Sequence, residues 1–207
     1  MAEAEKGETT PHGIDMSQKK RVRADAQRNE DAVLEAAKEI FAKSGVDAPV
    51  REISAEAGVG VGTLYRRFPK RSDLVAAVFR REVDACTAEA DTLAANNTPG
   101  DALILWLRRY TAFLTTKRGL ASALHSGDPA FDALPAYFRA NFEPALETLL
   151  NAAVNAGEIR AGIAPFDLLR AIGNLSVAAD ADGADHTRRM VDLLIDGLRY
   201  RPASPAK

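Results

Sequence analysis

The chain is poor in the residues that catalysis and metal binding most often use. It has one cysteine, Cys86, and three histidines, His12, His125 and His186. A single thiol cannot close an intramolecular disulfide, which excludes a disulfide-framed domain and fits a reducing cytoplasm. The histidines have no partners at metal-ligand spacing, so no metal is expected. No Ser/His/Asp set or carboxylate pair has catalytic spacing and no cofactor motif is complete, which leaves an enzyme reading little to stand on. No apolar run is long enough to span a membrane, and no signal-peptide core stands near the start. The expectation is a cytoplasmic protein with no membrane partner and no cofactor. No segment alternates with strand period, and none repeats.

What is present favours helices. The composition is rich in Ala and Leu, and aromatics are only 6%. Ala and Leu lose little freedom in a helix. A chain of 207 residues has room for one small and one medium domain on a shared helical framework. Its formal net charge of −2 does not suggest nucleic acid, but the distribution does. Residues 17–71 carry 12 Lys or Arg against 8 Asp or Glu, whereas residues 72–207 carry 14 against 17. A basic block beside an acidic remainder is the asymmetry of a separate DNA-binding head.

Residues 45–74, GVDAPVREISAEAGVGVGTLYRRFPKRSDL, hold two short helical patterns around a glycine-bearing turn. Pro49 suits the first position of a helix. Ile53 and Ala57 share a face at i and i+4. Gly58 stands where the chain must leave the helix, and glycine takes the left-handed conformation without a Cβ clash. Val59 is placed to plug the gap between the helices, and Leu64 and Phe68 anchor the second one. Val61, Gly62, Thr63, Tyr65, Arg66 and Arg67 are left for the other faces, and Pro69 ends the helix. Ser72 is the expected N-cap of the next. From Ala57 to Ser72 the basic residues Arg66, Arg67, Lys70 and Arg71 meet no acidic one. Two short helices at a tight turn, one presenting small and basic residues, form the helix-turn-helix that enters a DNA major groove. A phosphate-cradling loop at Gly58, Gly60 and Gly62 would need a buried strand before it, and REISAEA is charged and helical in period.

The run AGVGVGTLYRRFPKRSDL, with DAVLEAAKEIFAKSG before it, resembles the DNA-binding domain of the tetracycline-repressor (TetR) family over about residues 28–80. The resemblance implies an all-α homodimer. Its N-terminal three-helix domain binds double-stranded operator DNA, and its C-terminal helical domain binds a small-molecule effector and dimerises. Thr63 and Tyr65 match family positions that contact phosphate or thymine. Arg67 matches a position near phosphate, Arg71 one that grips backbone phosphate, and Arg51 one that can read a base. Gly60 and Pro49 depart from the family pattern, each removing a side-chain contact. Phosphate affinity then leans on Arg51, Arg67, Lys70 and Arg71. The candidate DNA-binding set is Arg51, Gly60, Val61, Gly62, Thr63, Tyr65, Arg66, Arg67, Lys70 and Arg71. Arg51 reads equally as a base contact or as a solvated arginine paired with Glu52 or Glu56. The stretch DALPAYFRANFEPALETLLNAAVNAGEIRAG resembles an actinobacterial-type subgroup of the family.

Three segments are expected. Residues 1–22 read as a disordered tail whose end, Lys19, Lys20, Arg21 and Arg23, is either a solvated tail or a phosphate-seeking arm. Residues 23–71 form the DNA-binding domain, with Val33, Ala36, Ala37, Ile40 and Phe41 as the stripe of a first helix that Gly45 stops. Residues 72–207 form the second domain, and a helix over 72–94 connects the two. Further helices are expected over 100–117, 118–126, 132–156, 165–180 and 184–199.

Trp106, Tyr110, Phe113, Tyr137, Phe138 and Phe142 can line a ligand pocket between helices. Each also reads as plain core. His125, near Asp128, is a candidate polar anchor or a surface residue. Cys86 reads as a small buried residue. Leu169, Ile172, Gly173, Leu194 and Leu198 are the candidate dimer interface on the last two helices. The function these features imply is a repressor that releases a palindromic operator on binding a ligand. The alternative is an unregulated dimeric DNA-binding protein.

Overall fold

The computed structural model describes residues 16–177 and 183–199. The expected tail over 1–15, the end of the helix expected over 165–180 and the last eight residues lie outside the described residues. Among those described there are helices and loops and no strand.

Helix α1 (Met16–Ser44) is longer than expected, so residues 16–22 are helical and not part of a disordered tail. The run SQKKRVRADAQRNE lacks an apolar period but consists mostly of good helix formers, and a helix nucleated on the core extends at little cost. Its buried stripe is Val33, Leu34, Ala36, Ala37 and Phe41. Gly45 ends it at φ 76°, its N–H donating to the Phe41 carbonyl at 3.0 Å.

Helices α2 (Val50–Glu56) and α3 (Val61–Arg67) follow. Gly58 between them sits at φ 65°, the left-handed turn the sequence requires. Ile53 and Leu64 are 0% and 2% exposed, and full burial of such side chains is worth roughly 1.5–3 kcal/mol each. Val59 is half-buried against the same core.

Helix α4 (Arg71–Asn96) begins one residue ahead of Ser72, with Lys70 as its N-cap. Asp73 is the reason: its carboxylate accepts the Lys70 backbone N–H at 3.0 Å, satisfying a donor at the positive end of the helix. At 26 residues, α4 is about 39 Å long. Leu74, Val75, Val78, Phe79, Val83, Cys86 and Ala90 are its buried stripe and join one core that runs from the head into the second domain.

The second domain comprises α5 (Pro99–Gly119), the single turn α6 (Ala121–Leu124), a 3-10 turn at Pro129–Phe131, α7 (Leu134–Asn155), α8 (Pro165–Val177) and α9 (Gly183–Arg199). Helices α4, α5 and α7 pack most extensively, and α8 lies on α7 and α5 with α9 on α8.

Candidate nucleic-acid interface

Helix α3 is held from beneath by Leu64 and Phe68 and displays its other residues outward. Gly60 caps it in extended conformation, and the Thr63 and Leu64 N–H groups donate to the Gly60 carbonyl at 2.9 and 3.2 Å. Tyr65 is 49% exposed, an unusual placement for a large ring. Arg66 is exposed and folds back on its own helix, Nε donating to the Gly62 carbonyl at 3.3 Å and the guanidinium to Thr63 Oγ1 at 3.1 Å. Val61 and Thr63 are half-buried. Gly62 is exposed, and a Cβ built there meets nothing within 4 Å. Packing inside the protomer therefore does not require glycine at this position.

The other basic residues divide into free and occupied. Arg51 on α2 is exposed and pairs with neither Glu52 nor Glu56 among the described residues. Lys70 is exposed at the cap of α4. Arg67, by contrast, makes a two-pronged pair with Glu30 of α1, at 2.8 and 2.7 Å. That hydrogen bond and charge hold its guanidinium above the ordinary arginine value. Arg71 is half-buried and donates to the Val46 carbonyl, tying the start of α4 to the loop after α1.

A buried ion network joins the head to the second domain, and the sequence reading missed it. Glu82 of α4 is only 4% exposed. Its carboxylate meets Lys38 of α1 at 3.1 Å and Arg109 of α5 at 3.9 Å. Burial acts to lower the Lys38 ammonium, but hydrogen bonds and charge from Glu82 and Glu35 outweigh it and raise it. Arg81 adds a second tie, donating to the Asp31 carbonyl at 2.5 Å and meeting Glu35 at 3.4 Å. The signal was present in the sequence: Glu82 occupies a core-period position of α4, three residues after Phe79 and four before Cys86.

The candidate ligand residues form a closed aromatic cluster. Trp106, Tyr110, Phe113 and Phe142 are at most 1% exposed. With Phe138 their ring centroids lie 4.8–6.2 Å apart. Trp106 Nε1 donates to the Cys86 carbonyl at 2.9 Å and the Tyr110 hydroxyl to the Leu169 carbonyl at 3.2 Å. The two polar handles are thus spent inside the core. Tyr137 and Phe138 are half-buried and His125 is exposed. The Tyr137 hydroxyl donates to Asp84, which pushes it up to about 12. Burial pushes the Cys86 thiol up to about 12 as well. A separate open groove of about 370 Å³ runs between α4 and α7, from Thr87 and Asp91 to Asn141 and Thr148.

Three residues expected on the dimer surface lie inside the protomer. Leu169, Ile172 and Leu198 are 1%, 0% and 3% exposed. Leu169 and Ile172 lie on α8, which packs on α7 and α5, and Leu198 on α9, which packs on α8 and α5, because a helix laid on a core buries its most apolar face there first. What faces outward is Leu193, 64% exposed, with Leu194 half-buried beside it. A Cβ at Gly173 or Gly197 meets nothing within 4 Å.

A three-helix head with an exposed helix-turn-helix, continued by α4 into a larger helical domain, defines a DNA-binding transcriptional regulator. Comparison with known proteins gives the family. Residues 33–78 match the model of bacterial regulatory proteins of the tetR family, and residues 98–200 match the C-terminal domain of SbtR-like transcriptional regulators. A TetR transcriptional regulator of Streptomyces coelicolor is 36% identical, with a TM-score of 0.73 over 84% of this chain and 99% of that one. A TetR regulatory protein of Mycobacterium vanbaalenii is also 36% identical, with a TM-score of 0.67 over 86% and 99%. A structure solved as the molecular basis for control of antibiotic production by bacterial hormones is 26% identical, with a TM-score of 0.66 over 83% and 97%. An HTH-type transcriptional regulator of Staphylococcus aureus is 39% identical over 64 residues, 30% of this chain and 35% of that protein. The match thus spans about a third of that curated relative's length. The chain belongs to the TetR family of transcriptional regulators, which are DNA-binding proteins and not enzymes. No described helix is long and apolar enough to cross a membrane.

Proposed function

We propose that the protein is a cytoplasmic repressor that binds a palindromic operator as a homodimer and releases it when a small apolar or flat ligand enters the second domain. The observation that carries this reading is α4. Its first residues adjoin the recognition helix α3, while Phe79 and Cys86 further along it touch the aromatic cluster. No Gly or Pro interrupts it. A ligand that tilts α4 by opening the cluster therefore moves both heads of a dimer. It shifts the equilibrium only by its differential affinity for the two states, typically about 1–3 kcal/mol.

In this reading Tyr65, Thr63 and Lys70 meet phosphate or thymine, Arg67 joins them on leaving Glu30 and Arg71 on leaving the Val46 carbonyl, and Arg51 reads a base. Gly62 lets the backbone approach the groove, consistent with the empty space about it. Gly173, Leu193, Leu194 and Gly197 form the dimer surface. Tyr110, Phe113, Phe138 and Phe142 receive the ligand, with His125 or Tyr137 at its rim. One similar regulator is tied to bacterial hormones, which supports small-molecule control.

The closed cluster favours a second reading, an unregulated dimeric DNA-binding protein. Thermal-shift screening of small molecules, followed by fluorescence anisotropy with labelled operator, separates the two. A ligand that stabilises the protein and weakens operator binding at least fivefold supports the switch. Stabilising ligands that leave operator affinity unchanged support the unregulated binder.

A further inference from the structure

The sequence from Lys20 to Asn29 forms ten residues of α1 that the fold does not use. Every side chain described there is exposed, and the first fully buried residue of α1 is Val33. Isolated helices of this length are marginal in water, so the segment is helical because it extends a helix anchored further on. Its charges work against that: from Lys20 to Asn29 there are four basic residues, Lys20, Arg21, Arg23 and Arg28, against one acidic residue, Asp25. Lys20 and Arg23, three apart, also repel each other. Asp25 is already taken by Arg28. Lys20, Arg21 and Arg23 make no ion pair or hydrogen bond among the described residues. Three unneutralised cations are thus displayed on an exposed helix with no return in packing.

Their position supplies the missing partner. Glu30, at the base of the segment, is bonded to Arg67 at the end of the recognition helix. The basic segment therefore projects from the edge of the helix-turn-helix, and Met16 to Asn29 reaches roughly 20 Å beyond it at 1.5 Å per residue. That length corresponds to about six base pairs of duplex at 3.4 Å each.

We infer that residues 20–28 of α1 are a helical DNA arm, in which Lys20, Arg21 and Arg23 bind backbone phosphates outside the stretch contacted by α3 and the start of α4. This rests on the regulator reading above. Charge complementarity selects DNA: phosphates occur along the duplex at a density that three cations within about one helical turn can meet, and the arm carries no exposed aromatic to read bases. Neutralising the arm's cations also removes their mutual repulsion, so the arm becomes more firmly helical when bound.

The test uses the full chain, with the operator recovered by selection from random DNA. Two duplexes are compared, one with ten extra base pairs on each side and one trimmed to the half-sites. The triple variant Lys20→Gln, Arg21→Gln, Arg23→Gln keeps helix-forming, exposed residues, and an unchanged unfolding midpoint verifies its fold. Loss of at least one phosphate contact per arm in a dimer makes the slope of log K against log salt shallower by about two or more on the long duplex. On the trimmed duplex the wild type and the variant bind alike. An unchanged slope on the long duplex overturns the arm while leaving the regulator reading intact. An equal loss on both duplexes overturns its placement outside the core site. A wild-type protein that selects no operator overturns the regulator reading itself.

Discussion

Arg67 at the end of the recognition helix is held by Glu30 of the first helix through two hydrogen bonds of 2.8 and 2.7 Å. A phosphate that takes the Nε and Nη2 edge of Arg67 must displace a carboxylate of matching geometry, since both ligands present two acceptor oxygens to the guanidinium fork. The Arg67 side chain is 62% exposed, and exposed pairs are worth about 0–1 kcal/mol. Glu30→Gln is therefore expected to tighten binding to any duplex by up to about fivefold at low salt, with Arg67→Ala weakening it across sequences. Anisotropy titrations against operator and unrelated DNA check both. Weaker binding by Glu30→Gln would show that the carboxylate aims Arg67 at DNA and does not compete for it.

The Glu82 network should behave as a structural tie between head and body. Lys38→Met and Arg109→Met each leave the buried carboxylate short of a partner, and each is expected to cost about 1–3 kcal/mol in urea unfolding. Glu82→Gln removes the charge while keeping shape and is expected to cost less than either. Equal stability of all three variants would mean that the carboxylate is solvated in solution.

Alkaline pH reads out Cys86. Its folded value of about 12 exceeds the ordinary 9.0 because burial disfavours the thiolate. Between pH 9 and 10 the unfolded thiol loses its proton and the native one keeps it, so stability falls as pH rises, by at most about 1.4 kcal/mol per pH unit. Cys86→Ala should flatten the curve in that window, which lies below the ordinary tyrosine and lysine ranges. Above it, Lys38 also loses its stabilising charge as pH climbs through its raised value. At pH 8 the native thiol should resist a disulfide reagent that labels the urea-unfolded chain at once. Rapid labelling of native protein would place Cys86 at the surface.

The head was legible in the sequence because its signals are local. Gly58, the Leu64 and Phe68 spacing and Pro69 each dictate a backbone state within one or two turns. The start of α1 was misjudged because a helix can extend past its core on propensity alone, without the apolar period that marks packing. Three of the five residues expected at the dimer surface prove buried for a different reason. Leu169, Ile172 and Leu198 are apolar and periodic, as core and interface residues both are, and only the placement of α8 on α7 and α5 and of α9 on α8 and α5 separates them from Leu193. The Glu30–Arg67 and Glu82–Lys38 pairs join residues 37 and 44 positions apart, beyond the reach of helical spacing.

That distinction gives a sharp test of assembly. Leu193→Glu should yield a folded monomer in sedimentation, with its unfolding midpoint measured at low concentration. Ile172→Glu should instead destabilise the protomer, because an unpaired charge enters the core. A dimeric Leu193→Glu variant would locate the interface elsewhere.

The central claim is that this chain reads a symmetric DNA site through its helix-turn-helix. The most direct measurement is selection of binding sequences from random duplex DNA by the purified full-length protein, followed by sequencing of the bound fraction. The account predicts one enriched sequence with two inverted half-sites, their centres about one helical turn, 34–36 Å, apart or somewhat more on bent DNA. It also predicts that Arg51→Ala relaxes preference at one symmetric pair of positions. A bound fraction with no enriched sequence, or with a single unsymmetrical site, would contradict it.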